Sequence, residues 1–458
     1  MNLKQLFAPS DMTVGTPWKK IALFTFPLLI GNIAQQLYNT VDSIVVGKYV
    51  GDNALAAVGS AAPIFNLLLV LFVGISVGAG IMVSQFFGAR QKEELARSIG
   101  NCITLTAIAT VVLMVGMIFL IRPVLVILNT PASILDWCHS YLTILLLGIG
   151  GLAYYNILCG VLRGLGDSIS ALIYLLIATV INIVLDVYFV AKLGMGVSGV
   201  ALATAIAQTI SAILCMLKLM RMKDLFVLHK ADFKLDPEIA FTLIRLGIPS
   251  GLTQAIMSMA MILVQSLTNS FGEMVIAANV IIMRVDGFAM MPNMSFGNAM
   301  TTYSGQNVGA NRYDRVEQGA KQGTILAVIV STTITLTILL FGKNLMALFT
   351  DTPELVEMSM RYMRILAFGY IVIAVYQCLA GVMRGAGDTL TQMYISLFCN
   401  VLFRVPSAYL LVNLTKSETL PNGAPEGLYI SLVTCWCMLA LIAYLAYRKG
   451  KWKEKAIS

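Results

Sequence analysis

The chain is short of charge. Of its 458 residues only 12% are charged, and only two are histidine. A soluble domain carries roughly a quarter charged residues, so a soluble enzyme or binding module is excluded. The histidines, His139 and His229, lie far apart in sequence and near predicted loops. They form neither a metal cluster nor a nucleophile–base pair. The eight cysteines fall mostly inside apolar runs, without metal-ligand spacing. Cys435 and Cys437, two apart on a helix, point apart. Free thiols are expected, and no disulfide framework. No cleavable leader is apparent: MNLKQLFAPSDMTVGTPWKK is polar and runs straight into an apolar segment. The net charge of +8 would suggest nucleic acid in a soluble chain. In a membrane chain, lysine and arginine report topology instead, so no nucleic-acid partner is expected.

What the chain has is apolar length. It is 58% hydrophobic with a mean hydropathy of +0.83, and apolar runs long enough to cross a bilayer recur throughout. They predict an all-α polytopic membrane protein with twelve transmembrane helices. The spans are 18–48, 54–82, 96–120, 134–158, 169–191, 197–221, 240–270, 276–301, 320–341, 360–381, 389–413 and 427–447. With the amino terminus inside, basic residues crowd the inner segments: Lys19, Lys20, Arg90, Lys92 and Arg97, the 222–239 stretch, and the tail from Arg448. The outer segments hold few, among them Lys48, Arg122 and Lys192. This predicts a multi-pass protein of the cell's inner, cytoplasmic membrane, embedded in the lipid bilayer with both termini cytoplasmic.

The chain also repeats itself. GVLRGLGDS (160–168) recurs as GVMRGAGDT (381–389), with six of nine residues identical. At the same offset Gln85, Gly88 and Ala89 match Gln306, Gly309 and Ala310, and Pro27 corresponds to Pro249 within one residue. Six helices per half in one order predict two pseudo-symmetric six-helix bundles, residues 1–221 and 240–458. Between them would lie a central cleft able to open to either side. Residues 222–239 form a polar cytoplasmic linker with a solvated face. Asp236-Pro237-Glu238 is a helix start: a cap, then proline in the first turn, then an acid at the positive end of the dipole. In the repeated motif, Asp167 and Asp388 are placed to cap the next helix.

Inside the first span lies NIAQQLYNTVDS (32–43). Asn32, Gln35, Asn39 and Asp42 recur at three- and four-residue spacing, a polar stripe ending in a carboxylate. A membrane carboxylate is costly, so it faces a cavity or a partner. Two readings follow: a structural network between helices, or a cation or proton site in a transport pathway.

The duplicated motif, the twelve spans, Pro27 and Asp42 in the first helix and Asn182 with Asp186 in the fifth resemble the multidrug and toxic compound extrusion (MATE) family. Within it, the chain is most similar to the bacterial DinF-like branch. The resemblance covers nearly the whole chain. It implies a secondary active antiporter that exports small organic compounds, often cationic or amphipathic, against an inward flow of protons or sodium. In that pattern the coupling site is an aspartate on the first helix, an asparagine and aspartate on the fifth and a threonine on the sixth. These match Asp42, Asn182, Asp186 and Thr204. No cofactor is implied beyond the coupling ion, H+ or Na+, and the chain is expected to act as a monomer.

The spacing agrees. Asn182 and Asp186 are four apart and share a helical face. Asp42 and Asp186 each precede a lysine at the outer end, Lys48 and Lys192, by six residues, roughly 9 Å. Thr204 lies at a similar depth. Hard oxygen ligands suit sodium, and two close carboxylates suit proton exchange. In the second half Asn400 stands opposite Asn182, but Arg404 stands opposite Asp186. No second cation site is expected there. Asp286 is expected to pair with Arg404 or Arg284 in a buried charge network, the rival reading being a second protonation site. Candidate substrate contacts are Gln35, Asn39, Tyr155, Asn156, Gln254, Met257 and Met261, where the methionines accept varied apolar shapes. Pro27 is the candidate hinge, because proline removes one helical hydrogen bond.

Three other readings compete. A lipid-linked oligosaccharide flippase needs several arginines for a pyrophosphate, and only Arg284 and Arg404 lie at depth. An intramembrane enzyme needs a catalytic constellation that the sequence does not offer. A channel fits poorly with duplicated halves and an acidic site in one of them.

Overall fold

The computed structural model describes residues 9–418 and 420–457, and among these the regular structure is entirely helical. Eleven helices are long and apolar enough to cross a membrane, and a twelfth crossing is a bent pair. In order they are α1 (Pro17–Tyr49), α2 (Asn53–Gly88), α3 (Lys92–Ile118), α4 (Ala132–Leu147 with Ile149–Gly164), α5 (Ser168–Lys192) and α6 (Val197–Arg221). They continue with α7 (Pro237–Asn269), α8 (Glu273–Gly309), α9 (Tyr313–Ala347), α10 (Pro353–Gly385), α11 (Thr389–Leu414) and α12 (Glu426–Lys449). Each expected span is there. The 36 and 37 residues of α2 and α8 exceed the roughly 20 that a bilayer requires, so their ends project beyond it.

The bend in α4 is 53° and falls at Gly148. A side chain at Gly148 would meet Ala205, and one at Gly151 would meet Thr209. The absence of side chains lets α4 lie close on α6 while it turns, the usual role of small residues at membrane helix contacts.

The backbone repeats as the sequence does. Positive φ occurs at Gly51, Arg90 and Gly166 in the first half, and at Gly272, Asn311 and Gly387 at the matching places in the second. Asp167 accepts from the Ser170 amide at 2.9 Å and Asp388 from the Thr391 amide at 3.4 Å, so both motif aspartates cap a helix. The glycine contacts are duplicated too. Gly160 and Gly164 of α4 sit on the carbonyls of Ser76 and Gly80 of α2; Gly381 and Gly385 of α10 sit on those of Gly297 and Thr301 of α8.

Contacts divide the chain into two compact units, one of residues 1–11 and 30–251, the other of 12–29 and 252–458. The boundaries fall inside α1 and α7, within a few residues of Pro27 and Pro249, and not in the 222–239 stretch. That stretch belongs wholly to the first unit and is strapped to α3. Thr104 donates to the Phe233 carbonyl at 2.7 Å, Asn101 to the Asp232 and Lys234 carbonyls, and Lys92 to the Asp224 carbonyl. Asp236 receives the Glu238 amide at 2.9 Å and pairs with Arg97. In the second unit, residues ahead of α1 are tied to α8 and α9. The Met12 amide donates to Gln306 at 2.8 Å, and Arg315 donates to the carbonyls of Met12 and Gly15.

Candidate functional site

In the first unit the polar face of α1 meets α5 and α6. Asn182 and Asp186 have no exposed surface, and Asp42 and Thr204 are half-buried. The Asn182 amide is satisfied when its nitrogen faces the acids. It then donates to Asp42 at 2.7 Å and to Asp186 at 3.2 Å, while its oxygen accepts from the Tyr38 hydroxyl at 3.2 Å. The same oxygen lies 3.4 Å from Thr204 Oγ1. The Asn182 amide thus bridges the two carboxyl groups, and two acids this close favour a proton or a cation between them. The four residues Asp42, Asn182, Asp186 and Thr204 therefore form one cluster.

Three further side chains complete it. Tyr38 is hydrogen-bonded to Thr204 and Gln208, and Tyr141 lies near enough to feel the charge of both acids. Tyr38 lies four residues before Asp42 and Gln208 four after Thr204, so helical spacing would have found them. Tyr141, on α4, has no such signal. Two buried oxygens of the cluster, Asp186 Oδ1 and Gln208 Oε1, have no hydrogen-bond partner among the described residues. Just beyond Asp186, the backbone of α5 widens into a π-helical turn at Val187–Lys192. Such turns recur at functional sites.

The expected substrate contacts fall in both units and differ in exposure. Gln35 and Met257 are half-buried, and Asn39, Gln254 and Met261 are exposed. Tyr155 is instead buried, beside Cys159 and Cys215. Asn156 turns its amide back to the Leu152 carbonyl at 2.8 Å.

The charge network in the second unit is not the expected one. Asp286 accepts a hydrogen bond from Tyr370 at 2.8 Å. Arg284 is exposed, because two residues along a helix is about 200° of rotation and carries it away from the Asp286 face. Arg404 feels the charge of Asp286 but forms no ion pair with it among the described residues.

Comparison with known proteins agrees with this architecture. The MatE family profile matches residues 27–188 and again 249–410, once in each half. The chain is 30% identical to the probable multidrug resistance protein YoeA of Bacillus subtilis (strain 168), over 96% of this chain and 95% of the relative. It is 24% identical to the probable multidrug resistance protein NorM of Thermotoga maritima, over 96% and 94%. Among solved structures, a MATE protein in complex with MaL6 superposes with a TM-score of 0.89 at 25% identity, covering 97% of this chain and 99% of that one. Similar scores of 0.89 are found for MATE structures described as straight and as bent. The chain belongs to the MatE family, whose members are multi-span membrane transporters and not enzymes.

Proposed function

We propose that this multidrug efflux transporter works as an antiporter whose coupling ion, a proton or sodium, binds the Asp42–Asn182–Asp186–Thr204 cluster. One observation carries the reading: two acids from α1 and α5 meet on the Asn182 amide, and a buried oxygen of Asp186 is left without a hydrogen-bond partner among the described residues. A buried acceptor without a donor costs about 1–3 kcal/mol, which a bound cation or proton recovers. Tyr38, Tyr141 and Gln208 belong to the same site, and the exported compounds are organic and cationic or amphipathic. Gln35, Asn39, Gln254, Met257 and Met261 are the candidate contacts for them. The protein sits in the inner membrane with both termini cytoplasmic and acts as a monomer.

Coupling requires the ion and the drug to favour different conformations. Asp42 shares α1 with Pro27, and α1 passes from one unit to the other just after that proline. Filling the site changes the charge on α1, and Pro27 lets the helix bend at modest cost. One charge crossing 100 mV supplies about 2.3 kcal/mol.

The test is uptake of a fluorescent cationic dye into everted vesicles under separate proton and sodium gradients. The wild type should accumulate dye under one gradient, and Asp42→Asn should not. Equal gradient-driven uptake by both would remove the cluster from coupling. Absence of uptake by either would turn attention to lipid-linked substrates.

A further inference from the structure

The second unit contains a cavity of about 230 Å³ that the ion site does not use. It is bounded by Met261, Met283, Leu428 and Tyr429, and both Asp286 and Arg404 open onto it. These two opposite charges face one space without touching. The Asp286 carboxylate is held by the Tyr370 hydroxyl at 2.8 Å. Arg404 is half-buried, and its Nε has no hydrogen-bond partner among the described residues. A guanidinium at membrane depth normally finds a carboxylate or backbone carbonyls, because leaving it unpaired is costly. Its planar fork suits a carboxylate. The fixed acid across the cavity suits an ammonium group, and the methionine, leucine and tyrosine walls suit an apolar body.

We propose that this cavity binds a small zwitterion: its carboxylate on Arg404, its ammonium on Asp286, and an apolar side group between Met261, Met283 and Tyr429. The volume sets the size. It lies below the roughly 300–1,000 Å³ of drug-sized sites, which limits the ligand to about the bulk of an aromatic amino acid. The proposal names a second ligand class for the transporter reading and rests on that reading, but not on the ion site.

The test is equilibrium dialysis of labelled L-phenylalanine against the full-length protein in detergent, with phenethylamine and 3-phenylpropionate as single-charge competitors. No ion gradient is involved, so the result is separate from gradient-driven dye uptake. The wild type should bind phenylalanine saturably, and each competitor should be weaker. Arg404→Gln should weaken phenylalanine by tenfold or more, about 1.4 kcal/mol. Asp286→Asn should weaken phenylalanine but leave 3-phenylpropionate almost unchanged. Without ligand, Arg404→Gln should melt no lower than the wild type, because it removes a guanidinium that forms no ion pair among the described residues. Three results would overturn the proposal: no saturable binding, undiminished binding by Arg404→Gln, or a melting temperature that Arg404→Gln lowers sharply. The last would assign Arg404 to a structural charge network.

Discussion

Asn182 is the residue on which the first-unit cluster turns, since its amide reaches Asp42, Asp186 and Tyr38 together. Asn182→Leu would leave these partners facing an apolar group, at about 1–3 kcal/mol for each buried group stranded. The expected outcome is a lower melting temperature in detergent together with loss of gradient-driven export. Tyr38→Phe is gentler. It removes the hydroxyl that Asn182, Thr204 and Gln208 share, at about 1 kcal/mol for each hydrogen bond, and should lower apparent ion affinity by several-fold or more while dye affinity holds. Unchanged ion dependence of export would place Tyr38 outside the site. Asp42, Asn182 and Asp186 were legible as residues because polar groups at helical spacing stand out in apolar spans. Thr204 is legible only through the resemblance and its similar depth in the span. Arg284 is near Asp286 in sequence but not in space, because two residues along a helix are more than half a turn apart.

At the scale of elements, close helix contacts and the strapped 222–239 stretch carry the consequences. Gly160 and Gly381 occupy equivalent places where a side chain would strike the carbonyl of Ser76 or Gly297. Gly160→Val and Gly381→Val should each cost on the order of 1–3 kcal/mol through forced separation of the helices. A melting shift in both variants checks this, and tolerance at either position would contradict the contact. The strap has a pH dependence. The Glu238 amide, then the Ile239 amide and the Arg97 guanidinium, hold the Asp236 carboxyl below the usual carboxylate range. A depressed folded-state value means that its contribution is complete above that range and is lost as pH falls through it. The wild-type melting temperature should therefore fall toward that of Asp236→Asn on acidification below about pH 4. A constant difference between the two proteins would refute the assignment. The capping role of Asp236 was readable from Asp-Pro-Glu. The strap on α3 was not, because its acceptors are backbone carbonyls that any residue supplies.

For the whole molecule, the twelve spans and the duplication were legible because both are periodic, one in hydropathy and one in motif. The repeated φ values at Gly51 and Gly272, Arg90 and Asn311, and Gly166 and Gly387 follow from that duplication. The unit boundaries were not legible. The polar 222–239 stretch looks like a joint, yet packing splits α1 and α7 instead, and packing between distant segments leaves no local pattern. That division gives α1 its proposed role in coupling, because Asp42 and Pro27 lie on opposite sides of it. The most direct measurement is of reciprocity in the purified protein: addition of an exported dye should release the coupling ion, since ion and drug must disfavour each other. The wild-type protein should release on the order of one proton or sodium per molecule, and Asp186→Asn none. Equal release from the wild type and the variant would contradict the claim that this cluster holds the coupling ion.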